Sequence, residues 1–377
     1  MAVYFYRHFI IVMEKLNIYN DNDLMGKYNL VSAGLYNFLP DLELENHESI
    51  FKNILFHQKR GIENQKNFSH LDQAEILGLK SENDSYKLHQ SIFCSFHLGS
   101  YRLINLFLIK YKIAYTLVIS KRLLKEQGND YLDFYTKQCD SDEVRFEVID
   151  ADSPTSTINM VKHLKKGRSL LIYTDGNLGT GVDIENSRNT CLINFLNQRI
   201  YARTGVAYLS YLLSVPIIPV FSYINTQKKD VLKFEEIIMP DPNGTKLEYC
   251  NYVTRLIYGN AEALIRKYPD QWEGWLYLHK IAVIDKIFEN KRSCVNLKNT
   301  SNTNLIFNKL DFGLFQIGST YYLFQKKGYK SYKIQKYLYK LLLDNIRTLK
   351  KIQIENHETL NYLIKNEVVI NYAHNKI

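Results

Sequence analysis

Several familiar classes are excluded by what these 377 residues lack. Only five cysteines occur, Cys94, Cys139, Cys191, Cys250 and Cys294. They are far apart, odd in number and form no CxxC pair. This argues against a disulfide framework or a zinc site, and a reducing cytoplasm is the natural compartment. No apolar run suits a membrane span. The N-terminal stretch MAVYFYRHFIIVMEKL is short and is interrupted by Arg7 and His8. It also lacks the charged start, apolar run and small-residue cleavage site of a signal peptide. It is expected to form an amphipathic helix packed on the domain, with an interfacial membrane helix as the alternative. There is no nucleic-acid module, no internal repeat and no GxSxG elbow around Ser100. With charged residues at 23%, no long segment reads as disordered.

What is present is an ordinary globular composition, 46% hydrophobic, with a net charge of +9. That length and apolar content suit one large α/β domain with a smaller appendage. The basic balance fits an anionic membrane surface or a phosphate-bearing donor, and equally a plain solubilising surface.

Periodicity organises the chain. Residues 1–85 read as helical, with FKNILFHQKRG and LDQAEILGL as helix candidates. From residue 89 the pattern alternates. HQSIFCSF is a strand ending at His97, and Tyr101 to Tyr111 follows at helical spacing. IAYTLVIS is the next strand, then a helix around 122–138, then a strand over 144–149. A helix over 156–165 leads to the strand SLLIYT, and a helix over 205–213 leads to VPIIPVFSY. Strands alternating with such helices predict βαβ units and a mainly parallel sheet flanked by helices. In such sheets, sites lie beyond the carboxyl ends of the strands. His97 and Asp175 both fall at such ends. Helices are expected over 247–267 and 274–290. The polar stretch NLKNTSNTN, 296–304, is expected to separate residues 1–290 from an accessory module over 300–377. In that module GLFQI and TYYLF, joined by Gly318-Ser319, predict a hairpin. SYKIQKYLYKLLLDNIRTLKKI predicts an amphipathic helix packed on it, giving a small α+β, winged-helix-like module.

The chemistry concentrates in SFHLGSYRLINLF. A neutral imidazole at a strand end can take a proton from a hydroxyl or an amine. Gly99 permits close backbone approach to a ligand. The N–H groups of the following helix start can face a carbonyl oxygen or a phosphate. A structural, hydrogen-bonded histidine is the bland alternative. Asp175 either serves the site or caps its turn. The loop containing Gly176, Asn177, Gly179 and Gly181 either lines the site or forms a surface turn. Arg203, just before the Gly205 helix start, can face a headgroup or a pantetheine phosphate. Trp272 and Trp275 read as packing.

Four ordered segments carry a resemblance. IFCSFHLGSYRLINLFL resembles the strand–His–Gly–helix segment of the lysophospholipid-type acyltransferases of lipid A biosynthesis. SLLIYTDGNLGTG resembles their downstream strand with its Asp. INFLNQRIYARTGVAYLSYLLSVPIIPVFSY resembles their aromatic-Gly turn, Gly-started helix and Pro-flanked strand. YPDQWEGWLYLHK resembles their closing Pro-acid-Gln-aromatic segment. The agreement runs over about residues 50–285.

The resemblance implies a glycerolipid-acyltransferase-like fold and acyl transfer from a thioester, acyl-coenzyme A or acyl-carrier protein, to a hydroxyl or amine of a lipid or other acceptor. It implies His97 as general base and no metal or other cofactor. Peripheral contact with the inner face of the cell membrane would follow. The family motif carries an acid five residues after the histidine, where this chain has Arg102. Asp175 is expected to replace that acid. Arg102, with Gly99, Ser100, Asn177 and Arg203, is expected to contact substrate. An inactive binding scaffold, a peptide N-acyltransferase and a thioesterase are the alternatives.

Overall fold

The computed structural model describes residues 15–79, 88–120, 134–137, 146–176, 189–240, 244–283 and 305–371. The chain divides into two compact units, 53–195 with 199–274, and 1–52 with 196–198 and 275–377. The expected boundary at 290–300, the polar stretch 296–304 and the N-terminal 14 residues lie outside the described residues.

Two helices lead the described chain, α1 (Asn22–Phe38) and α2 (Glu45–Asn64). The larger unit is built on a seven-stranded sheet of order β1-β9-β8-β2-β5-β3-β4. Its strands are β1 (Glu75–Leu77), β2 (Ile92–Ser95), β3 (Tyr115–Ile119), β4 (Glu147–Asp150), β5 (Ser169–Tyr173), β8 (Ile217–Ile224) and β9 (Asp230–Phe234). All neighbours pair in parallel except β8 and β9, which are antiparallel. The central strand β2, IFCS, is buried along its whole length. A strand covered on both faces has no use for alternation, so it reads as a continuous apolar run. Outside the sheet, β6 (Thr190–Phe195) and β7 (Gln198–Arg203) form a two-stranded ribbon.

The helix after β2, α3 (Leu103–Lys110), is buried at every position from Leu103 to Ile109. Its side chains join Phe93, Leu117, Leu171, Ile218, Leu232 and Phe234 in one apolar core. That core fixes β2 against its neighbours, and so fixes the residues just beyond its end. Further helices are α4 (Ser156–Lys165), α5 (Gly205–Leu213) and α6 (Lys246–Lys267). Thr245 caps α6, its Oγ1 accepting from the Glu248 N–H at 3.3 Å. Ser214 ends α5 in the left-handed region, φ 53°.

Five of the expected strands and the helices at 103–110, 156–165, 205–213 and 246–267 are present. Several expectations need correction. LDQAEILGL is not one helix: a single turn over Ser69–Asp72 gives way to β1, which pairs with β9. Residues 273–280 form two 3-10 turns, not the start of a continuous helix. The ribbon β6–β7 stands where an aromatic-Gly turn was expected. Most of the helix expected over 122–138 lies outside the described residues.

In the smaller unit, β11 (Phe312–Ile317) and β12 (Thr320–Gln325) form the expected hairpin around Gly318. A third strand, β13 (Lys330–Ile334), pairs with β12. It takes up residues expected to begin the amphipathic helix, which starts only at Lys336 as α7 (Lys336–Thr348). A short pair, β10 (Leu305–Phe307) with β14 (Val369–Asn371), and α8 (His357–Lys365) complete the described part. The amide of Asn29 on α1 donates to Leu314 O at 2.7 Å, satisfying an edge carbonyl of β11. Among the described residues, no helix of the protein is long and apolar enough to cross a membrane.

Candidate active site

His97 and Asp175 follow β2 and β5, and these strands are direct parallel neighbours. The parallel pairing therefore delivers both side chains to the same sheet end. Nδ1–H of His97 donates to Asp175 Oδ1 at 2.8 Å. The His97 backbone N–H shares the same carboxylate, at 3.1 Å from Oδ1 and 3.0 Å from Oδ2. Trp272 supplies a third donor, Nε1–H to Oδ2 at 2.8 Å. The Asp175 side chain is only 3% exposed, whereas that of His97 is 25% exposed. A buried carboxylate is tolerable because several N–H groups solvate it. With Nδ1 committed to Asp175, Nε2 is left as the basic nitrogen.

Burial works against the charged imidazole. Asp175, through its charge and its hydrogen bond, outweighs that effect with help from Glu273, and Arg102 opposes them. The balance holds the His97 pKa above its ordinary value. Two tyrosine rings flank the imidazole. Tyr101 and Tyr173 each lie 4.8 Å from it, the first edge-on at 74° and the second tilted by 33°. They leave it little room to turn away from Asp175.

The segment Tyr268–Glu273 frames this pair. Gln271 O accepts from the Gly99 N–H at 3.0 Å, and the Glu273 N–H donates to His97 O at 3.0 Å. The Gln271 amide closes the end of β8 like an added strand, accepting from Ile224 N–H at 2.8 Å and donating to Ile224 O at 2.9 Å. Gly99 is required where it stands. Its φ is +55°, and a Cβ would lie 2.8 Å from Tyr223 Cα and 3.0 Å from Ser222 O. The close approach is to β8, and the Gly99 N–H is used by Gln271. The close backbone approach at Gly99 is thus made within the protein, and its own N–H is occupied.

The other expected contact residues scatter. Ser100 is buried, and its hydroxyl donates to Asp230 Oδ1 at 2.8 Å while accepting from Asn64 Nδ2 at 3.2 Å. Asp230 is also paired with Arg60 at 2.7 Å. Ser100 therefore belongs to an internal polar network. Arg102 is buried at 8% exposure and donates to Gln65 Oε1 at 3.2 Å. Its charge acts on His97 and Glu273. It is an interior group, not a cation presented to solvent. Arg203 ends β7 on the surface, where its charge interacts with Tyr258 and Asp152. Asn177 lies outside the described residues, whereas Gly176 is held by its N–H on Tyr173 O at 3.3 Å.

Trp272, Gln271, Glu273, Tyr101 and Tyr173 are absent from the expected contact set, although all of them shape the site. The acid-Gln-Trp run at 270–272 was the available signal. Among the described residues, no group of three or more His, Cys, Asp or Glu side chains is arranged to hold a metal.

Residues 126–280 match the family described as bacterial lipid A biosynthesis acyltransferase. The matched stretch contains Asp175, Trp272 and Glu273, while His97 precedes it. A search of curated proteins finds no match. Among solved structures, the chain is similar to the 1-acyl-sn-glycerophosphate acyltransferase of Thermotoga maritima. Identity is 14%, covering 64% of this chain and 95% of that one, with a TM-score of 0.32. Over residues 126–280 the chain is thus similar to the bacterial lipid A biosynthesis acyltransferases, and it is an enzyme of the acyltransferase class.

Proposed function

We propose that this protein moves a fatty acyl group from a thioester donor, acyl-carrier protein or coenzyme A, to a hydroxyl or amine of a lipid acceptor. The observation that carries the proposal is the His97–Asp175 pair at the ends of adjacent parallel strands, with Nδ1 fixed and Nε2 free to act. His97 Nε2 removes the acceptor proton as the acceptor oxygen or nitrogen attacks the thioester carbonyl. A tetrahedral intermediate forms, and its collapse breaks the C–S bond. The imidazolium then returns the proton to the leaving thiolate. Asp175 keeps the imidazole in the productive tautomer and stabilises its protonated form. The net charge of +9 suits an anionic donor or a peripheral position on an anionic bilayer. We assign residues 300–377 as an accessory module that recognises the acceptor.

Acceptor-dependent chemistry tests this proposal. Wild-type protein is incubated with acyl-thioesters of several chain lengths, with and without bacterial lipid extract, and products are read by mass spectrometry. A new acylated lipid, with stoichiometric free thiol, is expected. Free fatty acid irrespective of acceptor would identify a thioesterase. Unconsumed thioester under all conditions would identify a binding scaffold.

A further inference from the structure

Residues 312–343 of the smaller unit contain six lysines and no acid. Lys326 is buried, and its ammonium donates to Lys309 O. The other five, Lys327, Lys330, Lys333, Lys336 and Lys340, are exposed. Among the described residues none of the five pairs with a carboxylate. Such a cluster works against the fold that carries it. Lys336 and Lys340 stand four apart on α7, where like charges repel. Lys336 is also the first residue of α7, where the helix dipole disfavours a cation. Lysines on β13 alone would be explained by protection of an edge strand, but α7 is no edge.

Apolar groups are exposed beside these charges. Ile317 pairs with Thr320 at the tip of the β11–β12 hairpin, and its side chain is 66% exposed. Ile334 pairs with Tyr321, so β13 ends level with that tip. α7 starts two residues later. The tip and the first turn of α7 therefore share one end of the three-stranded sheet. On α7, Tyr339 turns inward, its ring 4.8 Å from that of Tyr321, and Leu342 and Ile346 are buried. Tyr337 is left outward at 62% exposure.

We propose that this end of the smaller unit docks on an anionic lipid bilayer. The lysines meet headgroup phosphates, while Ile317 and Tyr337 enter the boundary between headgroups and acyl chains. Lysine heads with a tyrosine and a bare aliphatic tip suit that layered chemistry, polar outside and apolar beneath. An acidic protein would complement the lysines but offers no such boundary to the isoleucine. The lipid acceptor proposed above would be presented by the same bilayer. Docking deepens that reading, and it is measured without acyl transfer, so the two can fail separately.

The test is co-sedimentation of the full-length protein with vesicles. One set is phosphatidylcholine alone, and the other is equal parts phosphatidylcholine and phosphatidylglycerol. Wild type should bind the second set and not the first. Raising salt from about 0.1 M to about 1 M shortens the screening length from about 10 Å to about 3 Å and should weaken binding. Each lysine near the surface contributes about fivefold, so Lys333→Gln, Lys336→Gln and Lys340→Gln together should weaken binding on the order of 100-fold. Ile317→Ser should weaken it by about tenfold and keep the salt dependence. The substituted side chains are exposed, so thermal unfolding should not change. Lys333→Arg with Lys336→Arg and Lys340→Arg keeps the charge and should keep the binding.

A charge-matched control, Lys162→Gln with Lys165→Gln and Lys166→Gln on α4, should stay within about twofold of wild type. An equal loss in this control would mean attraction by net charge alone, and would overturn the inference. Wild type that ignores the anionic vesicles, or a triple variant at 333, 336 and 340 that binds them unchanged, overturns it too. If vesicles stay unbound and that variant loses transfer from acyl-carrier protein but not from acyl-coenzyme A, the surface belongs to an acidic protein instead.

Discussion

Asp175→Asn is the perturbation whose consequences the geometry specifies most fully. The carboxylate receives the His97 backbone N–H on both oxygens, Nδ1–H at 2.8 Å on Oδ1 and the Trp272 indole N–H at 2.8 Å on Oδ2. An asparagine has one acceptor oxygen and brings an NH2 donor. If the oxygen stays on His97, the NH2 meets the indole N–H. A buried donor then lacks its acceptor, at a cost of about 1–3 kcal/mol. If the oxygen turns to Trp272, the NH2 meets Nδ1, the imidazole must carry its proton on Nε2, and the base is lost.

Either way the imidazolium loses its carboxylate. The expected fall in kcat/KM is about 10³- to 10⁴-fold, or roughly 4–5.5 kcal/mol of transition-state stabilisation. A chromogenic thiol reagent reads acyl transfer, and thermal unfolding reads stability.

The sign of the pH effect follows from the raised pKa of His97. The folded state binds that proton more tightly than the unfolded chain does. The pair therefore adds stability below the ordinary histidine value near 6.5, and loses it as pH rises through the raised folded value. The variant should show its largest Tm deficit on the acid side of this window. A folded Asp175→Asn protein within about tenfold of wild-type kcat/KM would refute the reasoning.

Two further outcomes follow from the buried polar groups. His57 is 8% exposed, and burial, with Arg60 and Lys228 adding to it, pushes its pKa down to about 3. Below about 6.5 the unfolded chain takes a proton that the fold refuses, so stability falls by about 1.4 kcal/mol per pH unit down to the folded value. His57→Gln should flatten the acid-side fall of Tm, and an unchanged slope would contradict this. Ser100→Ala removes the hydroxyl between Asn64 and Asp230. It should cost about 1–3 kcal/mol of stability while leaving KM for donor and acceptor unchanged. A raised KM with an unchanged Tm would return Ser100 to the role of substrate contact.

The sequence was most informative where periodicity is strong and local. β2, β3, β5 and β8 are continuous apolar runs, and α4 and α5 have the expected bounds. It was least informative where partners are distant in the chain. Glu75–Leu77 is too short to show alternation, and it is a strand only because β9 offers an edge. Lys330–Ile334 shares the helix-like composition that follows it, and β12 draws it into a sheet.

The same division applies at the site. His97 and Asp175 were legible as strand-end residues, but their pairing depends on β2 and β5 being neighbours, which spacing does not reveal. Trp272 reaches Asp175 across 97 positions, so its indole donor was invisible beside its evident value as packing. The hydroxyl of Ser100, near the histidine in the chain, is bound to Asp230, 130 positions away, and spacing does not reveal that partner.

The most direct test of the central claim is the acyl-transfer rate of purified His97→Gln. The glutamine amide keeps a donor for Asp175 and has no titratable base. The account predicts an unchanged fold by circular dichroism, and transfer reduced by at least about 10³-fold at every pH. A folded variant that still acylates acceptor within a few-fold of wild type would contradict it.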